Sequence, residues 1–442
     1  MTLAAFASRL VPLLGVLACL VAAPAPAQRA PLEIDVSGAQ FRPLPVAMLP
    51  FTASEPALAG AAESIGAIVE ADLQRSGLFR LIPRAAFLST DVPFDTMPAF
   101  EDWRVLEAEA LITGRVYRAP DGRLQVQYRV FDVLAGEQLH SQQLPQDAAQ
   151  PRRVSHQIAD GVLTALTGEA PYFDSRIAFI DETGPKGDRR KRLAVMDQDG
   201  ANVVYPGADG LVLTPQFSPD GQRLLYISYD TGQPEIFLIG AGGGSQRRLG
   251  NFPGMSFGPR FSPNGNEVLL SLTEGGNTDL YLLGLNGGLR RLTSNPAIDT
   301  SGSFDPDGRR IVFESDRGGS QQIYVMPASG GAAQRISFGE GSYGTPVWSP
   351  KGDLIAFTKI RAGRFHIGVM RPDGSGERLL TTSFLDEGPS FSPNGRFVVF
   401  YRESPGQQGR AQLLSVDVIG RNERLVATPN AASDPSWSPL RR

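Results

Sequence analysis

The chain has 442 residues, which is enough for two or three domains. Its 42 Lys and Arg against 46 Asp and Glu give a formal net charge of −4, so the chain lacks the basic excess typical of nucleic-acid-binding proteins. Cys19 is the only cysteine, which excludes an internal disulfide and a cysteine-ligated metal site.

The N-terminal segment has the features of a secretory signal. Arg9 precedes an apolar run from Leu10 to Ala23, and the small residues Ala25-Pro26-Ala27 follow it. This order predicts a signal peptide over residues 1–27, cleaved after Ala27, and export of a soluble mature protein. The residues around Cys19 loosely resemble a lipoprotein signal, which leaves lipidation as the alternative. No later segment is long and apolar enough to predict a membrane span.

Residues 28–40 are predicted to form an extended leader ahead of the first domain. In this leader Leu32, Ile34 and Val36 alternate with Glu33 and Asp35. The alternation suits a segment that adds as a strand to the sheet edge of a partner. The alternative is a disordered tail left by signal cleavage.

Residues 41–170 mix strand and helix patterns and predict a small α/β domain. Strands are predicted for Pro45–Phe51 and from Leu78 onward, and a hairpin is predicted across Asp121-Gly122 between segments that begin at Ala110 and Leu124. Helical spacing of apolar residues predicts three helices, marked by Ile65, Ile68, Val69 and Leu73, by Trp103, Leu106 and Ala110, and by Val154, Ile158, Val162 and Leu166.

A short motif recurs along the second half of the chain. The copies read FSPDG at Phe217, FSPNG at Phe261, FDPDG at Phe304, WSPKG at Trp348, FSPNG at Phe391 and a truncated WSPL at Trp437. Successive copies begin 43 to 46 residues apart, and alternating strand-like segments lie between them. This period predicts a β-propeller of four-stranded blades. Within each motif Pro favours the second position of a type I turn and Gly supplies positive φ, while the preceding aromatic residue ends a strand and is expected to pack between blades.

The two ends of the repeat region predict how the ring closes. Strand sequences at Arg176 and Arg192 have no motif in front of them, and the last motif, at Trp437, has no strands after it. We therefore expect the C-terminal segment to supply the innermost strand of the first blade, giving a six-bladed propeller over residues 172–442. Such closure removes open sheet edges.

The whole mature chain resembles the TolB family, the periplasmic component of the Tol–Pal system of Gram-negative bacteria. The most specific segments are GAIVEADLQRSGLF from Gly66 to Phe79 and SFLDEGPSFSPNG from Ser383 to Gly395. The resemblance implies a monomeric periplasmic scaffold that binds the peptidoglycan-associated lipoprotein through its propeller and TolA through its leader, at Leu32, Glu33, Ile34, Asp35 and Val36. It also implies a role in outer-membrane integrity and in its invagination during cell division, and contacts with other outer-membrane proteins.

Acidic residues are predicted to gather at one mouth of the channel, in the connections that lead into the innermost strands. These residues are Asp209, Asp299, Glu340, Asp386, Glu387 and Asp434. A negative ring would suit a basic loop of a partner or a divalent cation, whereas the alternative is that the acids only keep the loops soluble. The resemblance adds Met255 and Thr300 to the lipoprotein site. The family's commonly cited histidine corresponds to Met255 here, so a thioether contact would replace a hydrogen bond.

The alternative function is an exported propeller hydrolase or carbohydrate-binding enzyme. The chain has no G-x-S-x-G motif, and His140, His156 and His366 are scattered over both domains. Glycoside hydrolysis needs a pair of carboxyl groups at a defined separation. The chain is rich in carboxylates, and their separation cannot be read from the sequence. We predict no catalytic residue, no metal ligand and no cofactor. The alternative is a calcium ion bound in the channel.

Overall fold

The structure is a computed structural model that describes residues 42–147, 150–207, 209–250, 252, 256–406 and 409–441. The predicted signal peptide, the predicted leader with its five partner-binding residues, and Met255 lie outside the described residues.

The N-terminal domain is a mixed sheet with helices packed on it. Its strands run in the order β3-β1-β4-β5-β6, and β2 pairs with β4. The strands are β1 (Leu44–Met48), β2 (Thr52–Ala53), β3 (Phe79–Leu81), β4 (Ala110–Arg118), β5 (Leu124–Asp132) and β6 (Glu137–Pro145). The helices are α1 (Ala59–Ser76), α2 (Phe100–Arg104) and α3 (Arg153–Thr167), with short 3-10 helices at Pro56–Leu58 and Arg84–Ala86.

Helices α1 and α3 cover one face of this sheet with the residues that the helical spacing predicts. Ile65, Val69 and Leu73 from α1 and Ile158 and Val162 from α3 are fully buried in one apolar core. Helix α1 ends where Gly77 adopts φ +68, a left-handed conformation that favours glycine. The predicted first and last helices and the predicted hairpin of β4 and β5 are confirmed.

One prediction for this domain is wrong in detail, and one strand was not predicted. The middle helix, α2, ends at Arg104, and Ala110 is instead the first residue of β4. The sequence analysis also missed β6, a strand whose residues are exposed or half-buried throughout. It pairs with β5 at the edge of the sheet, so its conformation depends on a neighbour and not on its own apolar pattern.

The second domain is a propeller of six four-stranded antiparallel sheets. The first blade contains β7 (Arg176–Thr183), β8 (Arg190–Asp197) and β9 (Asp209–Gly210), and its innermost strand comes from the C-terminus. The next blades contain β10 (Val212–Phe217), β11 (Arg223–Ser228), β12 (Glu235–Gly240) and β13 (Arg247–Arg248); β14 (Ser256–Phe261), β15 (Glu267–Glu274), β16 (Asn277–Gly284) and β17 (Leu289–Arg291); and β18 (Asp299–Phe304), β19 (Arg310–Ser315), β20 (Gln322–Pro327) and β21 (Gln334–Arg335). The last two blades contain β22 (Ser342–Trp348), β23 (Ile355–Arg361), β24 (Arg364–Met370) and β25 (Arg378–Leu379), and β26 (Asp386–Phe391), β27 (Phe397–Glu403), β28 (Ala411–Asp417) and β29 (Arg424–Val426).

Ring closure follows the predicted route. The final strand, β30 (Ala431–Trp437), pairs antiparallel with β7 and completes the first blade. The turn motifs also have the predicted geometry: the amide of Gly221 donates to the carbonyl of Ser218 at 2.8 Å, and Gly221 adopts φ +68. Phe217 packs with residues of both the first and the second blade, as predicted for the aromatic that ends each innermost strand.

Each innermost strand carries a β-bulge at the same place in its blade. The register shifts once in every pairing of an innermost strand with its neighbour. One residue inside each bulge has positive φ, and these residues are Thr214, Gly258, Ser301, Thr345, Gly388 and Asp434. Bulges bend a strand and redirect side chains, so the repeat places this set of residues around the channel.

The two domains share a mixed apolar and polar interface. Tyr172 and Phe173, which follow the N-terminal domain, are buried against Phe397 of the last blade. Arg396 binds Glu169 at 3.0 Å, and Asn394 donates to the carbonyl of Ala170 at 3.0 Å. The N-terminal domain therefore touches the propeller on the side of the turn motifs and leaves the opposite side free of these contacts.

Candidate partner-binding mouth of the channel

The channel has two mouths with different walls. We call the end formed by the connections into the innermost strands the loop mouth, and the end formed by the Ser-Pro-Asp-Gly turns the turn mouth. A cavity of about 150 Å³ lies in the channel, lined by the six bulge residues together with Arg260, Glu387 and Tyr401. The loop mouth is where the sequence predicts partner recognition.

Asp299 and Asp386 do not lie on a free surface, and this part of the prediction is wrong. Both are fully buried at the start of an innermost strand. Arg317 donates to both carboxylate oxygens of Asp299, at 2.9 and 2.8 Å. Arg402 holds Asp386 through Nε at 2.7 Å and Nη2 at 2.8 Å. Each of these arginines neutralises a predicted acid, so the ring at this mouth is less negative than predicted.

The other predicted acids lie in different surroundings. Glu387 and Asp434 line the channel cavity and are half-buried. Glu340 is exposed in the connection before β22, with its side chain 82% accessible. Asp209 is exposed but lies on β9, the outermost strand of the first blade, so it does not belong to the ring.

The channel environment changes the acidity of its carboxylates. Burial raises the pKa of Glu387, although a hydrogen bond from the Tyr401 hydroxyl at 2.7 Å opposes this effect. Glu387 therefore accepts a hydrogen bond from Tyr401 while it lines the cavity. Burial also raises the pKa of Asp434.

Thr300, predicted as a contact residue, donates through its hydroxyl to Glu314 at 2.5 Å, and the amide of Thr345 donates to the same carboxylate at 2.7 Å.

Exposed apolar side chains form a rim at the loop mouth that the sequence analysis missed. Each rim residue stands within four residues before an innermost strand. The exposed fractions are 47% for Leu211, 53% for Ile298, 73% for Phe338 and 50% for Phe384. In the sequence, each rim residue can be recognised as an apolar residue in a connection that has neither a strand pattern nor a helix pattern. An exposed apolar rim around a polar centre is typical of a protein-binding surface.

The histidines do not converge on one site, but one of them joins the domains. His156 is buried on α3, and its Nδ1 lies 2.6 Å from Asp72 on α1. Asp72, His156 and Asp199 are close enough together to hold a metal ion. Arg75 already contacts Asp72, and Arg152 contacts Asp199. We therefore interpret this cluster as an ion-pair network at the domain interface.

None of the helices in the described part of the chain combines the length and the hydropathy needed to cross a membrane. The fold defines the chain as a six-bladed β-propeller protein with a small N-terminal α/β domain.

Comparison with known proteins agrees with this class. Residues 163–441 match the family described as TolB beta propeller domain, and residues 32–139 match the TolB amino-terminal domain. The Tol-Pal system protein TolB of Gluconobacter oxydans is 44% identical over 414 residues, which cover 92% of this chain and 88% of that protein. The crystal structure of TolB from Acinetobacter baumannii superposes with a TM-score of 0.77 at 27% identity, covering 90% of this chain and 97% of that one. The chain belongs to the TolB family and is a component of the Tol–Pal system.

Proposed function

We propose that this chain is a periplasmic scaffold that links the peptidoglycan-associated lipoprotein to TolA, and so supports outer-membrane integrity and its invagination during cell division. In this proposal the lipoprotein binds at the loop mouth, TolA binds the leader at residues 32–36, and the protein acts as a monomer without a cofactor. Membership of the Tol–Pal system supports the general role.

The apolar rim of the loop mouth is the observation that supports this proposal most directly. Phe338 and Phe384 are large and exposed, and each lies in the connection that leads into an innermost strand, while Glu387 and Asp434 line the channel cavity. Aromatic side chains that become buried in an interface contribute most of the binding energy, and charges nearby select the partner. A partner loop with a basic tip and apolar flanks would fit both parts of this mouth.

The experiment is to replace both rim aromatics and measure lipoprotein binding by calorimetry. We expect the Phe338→Ser, Phe384→Ser double variant to bind at least about tenfold more weakly, a loss of about 1.4 kcal/mol. The matched control is Leu289→Ser, because Leu289 is 46% exposed but lies on the outer strand β17. Unchanged affinity of the double variant, with an unchanged melting temperature, would refute binding at the loop mouth.

An enzymatic function finds less support at this mouth. Glu387 and Asp434 share the channel cavity, and the pKa of each is raised by burial. A glycoside-cleaving pair needs environments that push the two pKa values apart, so that one carboxyl is protonated while the other is ionised. We therefore assign no acid and base roles to this pair and keep binding as the proposed function.

A further inference from the structure

The turn mouth, at the other end of the channel, contains a layer of equivalent residues with unusual chemistry. The residue immediately before the terminal aromatic of each innermost strand points into one cavity of about 270 Å³. In chain order these residues are Gln216, Arg260, Ser303, Val347, Ser390 and Ser436. The layer therefore contains one charge, which is positive, and four neutral polar side chains.

The three serines of this layer present hydroxyl donors to the cavity. Each hydroxyl oxygen accepts a hydrogen bond from the amide of an aromatic residue in the next blade: Ser303 from Trp348 at 3.2 Å, Ser390 from Trp437 at 2.9 Å. Ser436 accepts from Phe217 in the same way, at 3.3 Å. Within the described part of the chain these hydroxyl hydrogens have no acceptor. Because the oxygens are already engaged as acceptors, the hydroxyl groups are available to donate.

Arg260 is a half-buried cation without an anionic partner among the described residues. Its Nη1 donates to the side-chain oxygen of Gln216 at 3.1 Å, and no described carboxylate lies within ion-pair distance. Burial lowers the pKa of Arg260 to about 10. An unpaired charge removed from water is costly for the folded state, and an anion bound beside it would offset that cost. The bond to Arg260 also occupies the Gln216 oxygen and leaves its amide hydrogens free.

The one acidic residue that lines this cavity is already neutralised. Asp305 accepts hydrogen bonds from the amides of Arg309 and Arg310, at 2.8 and 3.1 Å, and forms an ion pair with the Arg310 side chain at 3.0 Å. These contacts lie within the turn that follows β18, and Asp305 forms no ion pair with Arg260. The walls of the turn mouth therefore offer donors and a positive charge.

We propose that the turn mouth of the channel is a binding site for a small oxyanion, a carboxylate or phosphate group, held by Arg260 with Gln216 and the serine hydroxyls. The planar guanidinium presents paired N–H donors that match two oxygens of such a group. Arg260 and Gln216 also line the channel cavity that contains Glu387 and Asp434, whereas the three serines and the turn motifs lie at the end of the channel opposite the loop mouth. Its ligand is a free anion or an anionic group on a larger molecule.

The test is the thermal stability of the full mature protein in phosphate or acetate, compared with chloride at equal ionic strength. We expect a saturable rise in melting temperature with phosphate or acetate, and the larger response identifies which group the site prefers. Arg260→Met should abolish this rise and should melt no lower than wild type without the anion, because the unpaired, half-buried charge is gone. Arg290→Met is the control, since Arg290 lies exposed on β17 and should leave the response intact.

A second variant keeps the test decisive if Arg260→Met fails to fold. Arg260→Lys retains the charge but lacks the paired N–H donors of the guanidinium. Calorimetry should therefore show phosphate or acetate binding at least about tenfold more weakly. The proposal is overturned if wild type responds to neither anion, or if Arg260→Met or Arg260→Lys responds as wild type does.

Discussion

At the loop mouth, individual carboxylates serve two different purposes. Asp386 is fully buried and bound by Arg402, and Ser383 donates to the same carboxylate at 2.5 Å. Glu387, the next residue, is half-buried and faces the channel. In a strand, neighbouring side chains point to opposite faces, so one residue anchors the blade while the next lines the cavity.

This difference predicts a loss of stability from charge reversal at Asp386. Asp386→Lys leaves Arg402 without its buried partner and adds a second cation, so we expect unfolding to become easier by about 3–5 kcal/mol. Glu340→Lys is the control, because Glu340 is exposed and only weakly paired with Arg361 at 3.9 Å. Thermal melting compares the two. A wild-type melting temperature for Asp386→Lys would mean that the ion pair does not anchor the strand.

At the scale of elements, the seam between β30 and β7 closes the ring. Ser433 donates to Glu182 at 2.7 Å, and the amide of Arg176 donates to Ser438 at 2.8 Å. Without this pairing, β7 would present an open edge. Open edges invite pairing with other chains.

We therefore predict that deletion of residues 433–442 destroys the cooperative unfolding of the propeller or causes aggregation. The deletion removes most of β30, and with it the inner strand of the first blade. Scanning calorimetry and light scattering measure both effects, and deletion of Arg442 alone is the control. A truncated protein that melts like the full chain and stays monomeric is incompatible with this closure.

For the whole molecule, a buried charge network controls how the domains dock. His156 Nε2 lies 4.0 Å from Asp197 of the propeller, and Gln198 donates to Asp72 at 3.0 Å. Burial alone would lower the pKa of His156, but Asp72, Asp199 and Asp197 outweigh burial and raise it. The raised pKa favours the imidazolium form, which lies beside carboxylates from both domains.

This raised pKa predicts that the folded protein loses stability as the pH rises. A group with a raised folded-state pKa contributes fully below its unfolded pKa, about 6.5 for histidine, and its contribution is lost as the pH passes the folded pKa. Between pH 6 and pH 9 we expect the wild type to lose on the order of 1 kcal/mol more than His156→Gln. Melting curves at both pH values measure this difference. Equal losses in the two proteins would show that His156 is not charged in the interface.

The leader gives a prediction at the same scale that follows from the proposed function. Deletion of residues 28–38 should abolish TolA binding while the propeller still folds and binds the lipoprotein. If the two sites are coupled, the lipoprotein must change TolA affinity by the same factor as TolA changes lipoprotein affinity. Calorimetry with each partner, alone and in the presence of the other, measures both factors. If TolA still binds at wild-type affinity after the deletion, the leader is not the TolA-binding segment.

Features that depend on local, repeated chemistry could be predicted from the sequence. The turn motifs predicted six blades, their boundaries and ring closure, because Pro and Gly restrict the backbone and the motif recurs at a fixed spacing. The same holds for α1 and α3, whose apolar residues follow the helical period over several turns.

Only the tertiary structure decided the features that depend on residues distant in the chain. The edge strand β6 exists because β5 pairs with it, and Asp386 is a buried anchor because Arg402 reaches it from the next strand. The layer around Arg260 arises because the ring brings one residue from each blade to the same depth, and the rim arises because the ring places the connections into four innermost strands at one mouth. Local propensity does not predict these contacts, because the exposure and pairing of a residue depend on which segments the closed ring places side by side.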